Sequence, residues 1–165
     1  MRFSGLPIVE RDIRNAQAKF KVFTRRGLPA IQVLIERLGE RFRFRYLKNK
    51  RNEVKNTVFF HEESIQLLKM YPQCVGLDST YKTNRFNLPL LNIVGVLPNN
   101  KSFIIGEAFI AQESYINFKW VLQALFDLYQ RLHLSPPLSF STNRSTACLK
   151  ALTEIWPTVP QLVCI

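Results

Sequence analysis

The chain has 165 residues, 47% of them hydrophobic and 21% charged, which is ordinary globular composition rather than that of a disordered chain. Three widely spaced cysteines, Cys74, Cys148 and Cys164, argue against a disulfide scaffold and fit reduced thiols in an intracellular protein. No secretory leader follows Met1, and the longest apolar-rich stretch, residues 115–133, carries Lys119, Gln123, Asp127, Gln130 and Arg131, so no membrane span is expected.

The net charge of +11 is unevenly placed. Residues 1–60 hold 15 Lys/Arg against 5 Asp/Glu, whereas residues 61–165 hold 8 against 7. Such asymmetry suggests a basic module that meets a polyanion, with DNA or RNA first in line because neutralised phosphates release counterions. The plain alternative is a solvated basic face kept for solubility.

In chain order, Pro7 to Arg26 is predicted as a helix. Pro7 suits a first helical position, Gly27 suits the residue past the last turn, and Ile13, Ala16, Phe20 and Phe23 recur in steps of three and four. Ile31, Leu34, Ile35 and Leu38 predict a second helix from Leu28-Pro29 to Gly39. Arg41-Phe42-Arg43-Phe44-Arg45-Tyr46 then alternates strictly, and Val54 to Phe60 returns after a polar turn, so a hairpin with an arginine face and an aromatic face is expected. Two readings of it stay open. Arg41, Arg43 and Arg45, with Lys48, Lys50 and Arg51 at the turn, would lie along nucleic-acid phosphates; or the aromatics would pack on the preceding helices while the arginines stay in water. Lys48 to Lys55 also has the composition of a nuclear-import patch, a weak signal.

His61 to Tyr71 predicts a short helix with Ile65 and Leu68 inward, and His61 reads as a helix-start or packing residue rather than a ligand. Tyr71-Pro72-Gln73 is taken as the boundary between a small basic helix/hairpin module, residues 1–72, and a second domain, residues 73–165. That domain opens on a strand through Asp78. Leu88 to Leu97, apolar on both faces, and Ser102 to Ile110 follow as strands. A long helix from Tyr115 to His133 comes next, carrying the stripe Phe118, Val121, Leu122, Leu125, Leu128, Tyr129 and Leu132. Leu138 to Thr142, Ser145 to Trp156 and Gln161 to Ile165 complete the order β-β-β-α-β-α-β. An antiparallel meander followed by alternation is an α+β arrangement and matches a ribonuclease H-like mixed sheet.

Period-2 alternation places Asp78, Thr80 and Lys82 on one face of their strand and Leu77, Ser79 and Tyr81 on the other. An acid in a buried strand is costly unless a metal or a cation neutralises it; the bland reading is an exposed acid at a strand end.

The run Asp78-Ser79-Thr80-Tyr81-Lys82-Thr83-Asn84-Arg85-Phe86-Asn87-Leu88-Pro89-Leu90 resembles the signature around the first catalytic Asp of Mutator-like element (MULE) transposases, shared by plant regulators of the far-red-impaired-response type. The resemblance continues through Trp120, Ser141-Thr142-Asn143-Arg144, Trp156-Pro157 and Cys164, and so covers roughly residues 74–165. It implies a ribonuclease H-like fold and DNA transposition by metal-dependent phosphodiester cleavage and strand transfer. Three carboxylates (a DDE motif) would hold two Mg2+ ions, with Asp78 as first acid and metal ligand. Where the family pattern is Thr-Asp-Arg or Thr-Asp-Lys, this chain reads Thr142-Asn143-Arg144, so Asn143 stands at a degenerate second acid position. The family motif that opens at Cys164 would run past Ile165, as would the helix bearing the third acid, so the domain reads as incomplete at its C-terminus.

The resemblance therefore implies a MULE-type transposase fragment in which strand transfer and productive Mg2+ binding are not expected. DNA would be its partner, Lys82 and Arg85 would join the nucleic-acid-binding set, and the nucleus would be its place. The alternative is a domesticated, non-catalytic nucleic-acid-binding protein.

Overall fold

Alternation in the first described segment produces strand β1 (Phe42–Lys48), which turns at Asn49–Glu53 into β2 (Val54–His61). The computed structural model describes residues 42–81 and 87–164. The helices expected at residues 7–26 and 28–39, together with Arg41, Lys82 and Arg85, lie outside the described residues. Helix α1 (Glu62–Met70) begins at His61, whose Nδ1 accepts the Glu63 N–H at 3.2 Å. This bond satisfies one of the orphan donors of the first turn, while Glu62 and Glu63 suit the positive end of the helix dipole. His61 is thus a helix-start residue, as its sequence position suggested.

Strands β3 (Cys74–Thr80), β4 (Leu90–Val96) and β5 (Ser102–Phe109) form an antiparallel meander. Helix α2 (Tyr115–Arg131), strand β6 (Ser139–Thr142), helix α3 (Thr146–Ile155) and strand β7 (Gln161–Val163) follow. All seven strands belong to one mixed sheet in the order β1-β2-β5-β4-β3-β6-β7, with β6 parallel to β3 and β7 parallel to β6.

The hairpin before Pro72 and the strands after it share this sheet. Thr57–Phe60 of β2 is in register with Phe109–Gly106 of β5, so the hairpin extends the same sheet. The physical reason is that β5 would otherwise present an unpaired edge of N–H and C=O groups, which the hairpin satisfies.

One face of the sheet carries the core. Val58 and Phe60, Val75 and Leu77, Leu91 and Ile93, and Phe140 are buried there with Ile65 and Leu68 of α1 and with Phe118, Val121, Leu122, Leu125, Leu128 and Tyr129 of α2. Cys148, Ala151 and Leu152 of α3 join them. Trp156, which closes α3, lies within 5.0, 5.3 and 5.6 Å, ring centre to ring centre, of Phe126, Tyr129 and Phe140.

A buried polar link ties β2 to the start of α2. Asn56 donates to Asn117 Oδ1 at 2.9 Å and accepts the Ala111 N–H at 3.0 Å, while Asn117 donates to the Gln112 carbonyl at 2.8 Å. Asn56 and Asn117 are almost fully buried, so each amide needs its partner. Asn117→Ala strands the Asn56 donor and the Gln112 carbonyl, and is expected to cost about 1–3 kcal/mol. A thermal melt within error of the unmodified protein would show that water replaces the lost partners.

Candidate functional site

The sheet register brings Asp78 and Asn143 to one corner. The last paired positions of β3 and β6 are Leu77 and Thr142, and Asp78 and Asn143 each follow by one residue at the same end of neighbouring parallel strands. Strands paired this way run about 4.8 Å apart. Leu77 and Thr142 are buried on the helix side, and Asp78 is exposed and alternates to the other face. Across the antiparallel pairs Asp78 stands opposite Asn92, and Asn92 stands opposite Glu107. Asn92 donates weakly to Thr80 Oγ1, at 3.4 Å. Glu107 is half-buried, and that burial raises its carboxyl above the usual range. Asn143 has left the strand: its Oδ1 accepts the Ser145 N–H at 3.2 Å, just before Ser145 caps α3 through its bond with the Cys148 N–H. The Asn143 amide oxygen thus takes part in the turn that leads into α3.

Glu113, the acid before α2, hydrogen-bonds Tyr81 and raises its phenol, its charge helps raise the Cys148 thiol, and its Oε1 is buried with no partner.

Packing of the hairpin aromatics on residues 7–39 lies outside the described residues. The arginine side of the hairpin faces α1 and α2. Arg43 Nε pairs with Glu62 Oε1 of α1 at 2.9 Å, and Arg45 pairs with Asp127 Oδ2 of α2 at 2.6 Å. Burial works to raise the Asp127 carboxyl, but hydrogen bonds from Gln123 and Arg45 and the charges of Arg45 and Arg131 outweigh it and hold it below the ordinary value. Arg43, Arg45, Phe60, Asp127, Leu128 and Arg131 line a small, open cleft there. The opposite side carries Phe44 and Tyr46, with ring centres 6.3 Å apart and planes 16° apart. Among the expected nucleic-acid residues, Lys48, Lys50 and Arg51 are exposed at the turn. Arg131 was not singled out in sequence because only the folding of α2 beside β1 brings it to the hairpin arginines.

With the corner and the hairpin defined, comparison with known families is decisive for the second half. The MULE transposase domain matches residues 74–165. This chain belongs to the MULE transposase domain family. Protein FAR1-RELATED SEQUENCE 5 of Arabidopsis thaliana is 25% identical over 104 residues, covering 63% of this chain and 13% of that protein. Protein FAR1-RELATED SEQUENCE 11, also of Arabidopsis thaliana, is 22% identical over 165 residues, 97% of this chain and 24% of that protein. PKS-NRPS hybrid synthetase cheA of Chaetomium globosum is 22% identical over 162 residues, 94% of this chain but 3% of that protein. The chain thus spans a quarter or less of these relatives. No solved structure matches it.

The Mg2+ pair implied by membership in the MULE family can be tested against the donors present. Two divalent ions held for in-line phosphodiester attack need several negative oxygens on one small site. Here Asp78 supplies one carboxylate, Asn143 a neutral oxygen occupied by a backbone N–H, and Glu107 lies two strands from Asp78. No group of three His, Cys, Asp or Glu side chains that could hold a metal occurs among the described residues. These residues do not fit a two-magnesium centre, so no step is derived through one. Nor is any helix among the described residues long and apolar enough to cross a membrane.

Proposed function

We propose that this MULE-family chain is a non-catalytic DNA-binding protein of ribonuclease H-like fold that acts in the nucleus, with a transposition corner no longer able to cleave or join strands. The observation that carries the reading is Asn143 beside Asp78, with its oxygen bonded to Ser145 N–H. The strand order supports the fold class: an antiparallel meander β5-β4-β3 continued by parallel β6 and β7 is the arrangement expected of a ribonuclease H-like sheet. The unequal charge supports the partner, since residues 1–60 hold 15 Lys/Arg against 5 Asp/Glu.

Because Arg43 and Arg45 are paired with acids, phosphate contact falls mainly to Lys48, Lys50, Arg51 and Lys55 around the turn. About four phosphate contacts would make log K for duplex DNA fall with log salt at a slope of about −3 to −4. A flat salt response would remove the DNA-binding half of the reading. In the companion assay, supercoiled plasmid with Mg2+ or Mn2+ is expected to stay intact, both with the unmodified protein and with Asn143→Asp. Restoring the second acid leaves a metal pair short of ligands. A metal-dependent nick that vanishes in Asp78→Asn would overturn the non-catalytic half, and Glu107 would be the next acid to replace.

A further inference from the structure

The geometry points to the aromatic side of the β1–β2 hairpin as a stacking platform for single-stranded DNA, centred on Tyr46. This rests on the DNA-binding reading above and adds which side of the hairpin binds and which form of DNA it takes.

Phe44 and Tyr46 occupy alternate positions of β1, on the side away from Arg43 and Arg45 and their acidic partners. Their rings form a stacked pair, yet Tyr46 keeps 42% of its surface exposed. Lys48 Nζ stands 5.6 Å from the centre of the Tyr46 ring, so a cation lies beside the exposed aromatic.

The turn beyond is braced rather than loose. Asn49 Oδ1 accepts the N–H groups of Arg51 at 2.9 Å and Glu53 at 3.0 Å, and Asn49 Nδ2 donates to Glu53 Oε2 at 2.7 Å. Asn52, with φ 63°, takes the left-handed conformation that Asn tolerates in turns. Glu53 is the one acid between Phe42 and His61, and Asn49 holds its carboxylate. Lys48, Lys50, Arg51 and Lys55 are exposed, and none of them is in an ion pair among the described residues. The charge complement of such a surface is a polyanion.

The ring decides which polyanion. A solvent-facing aromatic offers its π-face to any base, and nearby cations follow the backbone, which is the combination that binds single strands without sequence preference. In a duplex each base already stacks on its neighbours, so taking one out to meet a ring costs a few kcal/mol. An unpaired strand presents its bases without that cost. The platform therefore separates single strands from duplex by stacking while the lysines hold both by charge.

The test uses the full chain and fluorescence anisotropy with a labelled oligo-dT and a labelled duplex. Tyr46→Ala is expected to weaken oligo-dT binding about 10-fold, the effect of losing one stacked base, and to leave duplex affinity unchanged. Tyr46→Phe keeps the ring and is expected to keep the affinity, which separates stacking from any loss of fold. Lys48→Ala should make the salt slope for oligo-dT shallower by about 0.7. Unchanged oligo-dT binding in Tyr46→Ala, or an equal loss on both DNA forms, would overturn the platform while leaving general DNA binding in place. Failure of the unmodified chain to bind either form would remove both this inference and the reading it rests on.

Discussion

Trp156→Ala is expected to lower stability by about 3–5 kcal/mol. Trp156 is 3% exposed and closes α3 at the point where α2, α3 and β6 meet, against Phe126, Tyr129 and Phe140. Removing the indole empties the centre of this aromatic group, and surrounding helices relax only partly into such a space. At about 2–4 °C per kcal/mol for a chain of this size, the melting temperature should fall by roughly 6–20 °C. Trp156→Phe makes the expectation sharper. The indole Nε1 is buried with no hydrogen-bond partner, so phenylalanine removes an unsatisfied donor while keeping most of the ring. Its cost should be less than half that of alanine. Equal losses for the two variants in a urea or thermal titration would show that the filling of this aromatic group does not carry the stability.

The second large effect concerns a glycine where the hairpin joins the meander. A Cβ on Gly106 would stand 2.7 Å from the Phe59 carbonyl oxygen, a backbone atom held in β2, and would also strike the Phe60 ring. Side chains at such a site can turn aside, but a paired strand cannot without breaking its ladder. Gly106→Ala is therefore expected to cost about 1–3 kcal/mol, at the upper end because backbone must shift, and to loosen the β2–β5 pairing. Gly76→Ala in β3 provides the control: its added Cβ meets only Val94, at 3.7 Å from Cβ and 3.8 Å from the carbonyl oxygen, which is ordinary contact. That substitution should be neutral or slightly stabilising, since glycine inside a strand is itself unfavourable by about 0.5–1 kcal/mol. Equal melting temperatures for the two variants would mean that β2 is not held against β5 as closely as its register indicates.

Much of the architecture was legible because it is written in local periodicity. The stripe Phe118, Val121, Leu122, Leu125, Leu128 and Tyr129 predicted a helix buried along one side, and those six residues are the buried ones of α2 together with Asn117 and Ala124. Strand β3 alternates as its sequence requires, with Val75 and Leu77 inward and Asp78 outward. The corner was legible through resemblance, since the runs around Asp78 and Asn143 carry the family signature; that Asn143 caps a turn at Ser145 was not, because an amide at that position serves either purpose.

The sequence by itself determined where strands and helices form, how charge divides along the chain, and that Asn143 replaces an acid. Tertiary structure alone decided which side of the hairpin meets α1 and α2. Alternation every second residue separates arginines from aromatics but is symmetric with respect to the two sides of a sheet. The choice fell to Glu62 and Asp127, which lie 19 and 82 residues from their arginines and reach them only when β2 pairs with β5 and α2 crosses the sheet. The β2–β5 pairing also joins strands β1 and β2 to the sheet of the strands that follow Pro72. Proline and a polar turn mark a local break in the chain, whereas the edge a strand joins depends on which unpaired backbone groups the rest of the fold leaves open.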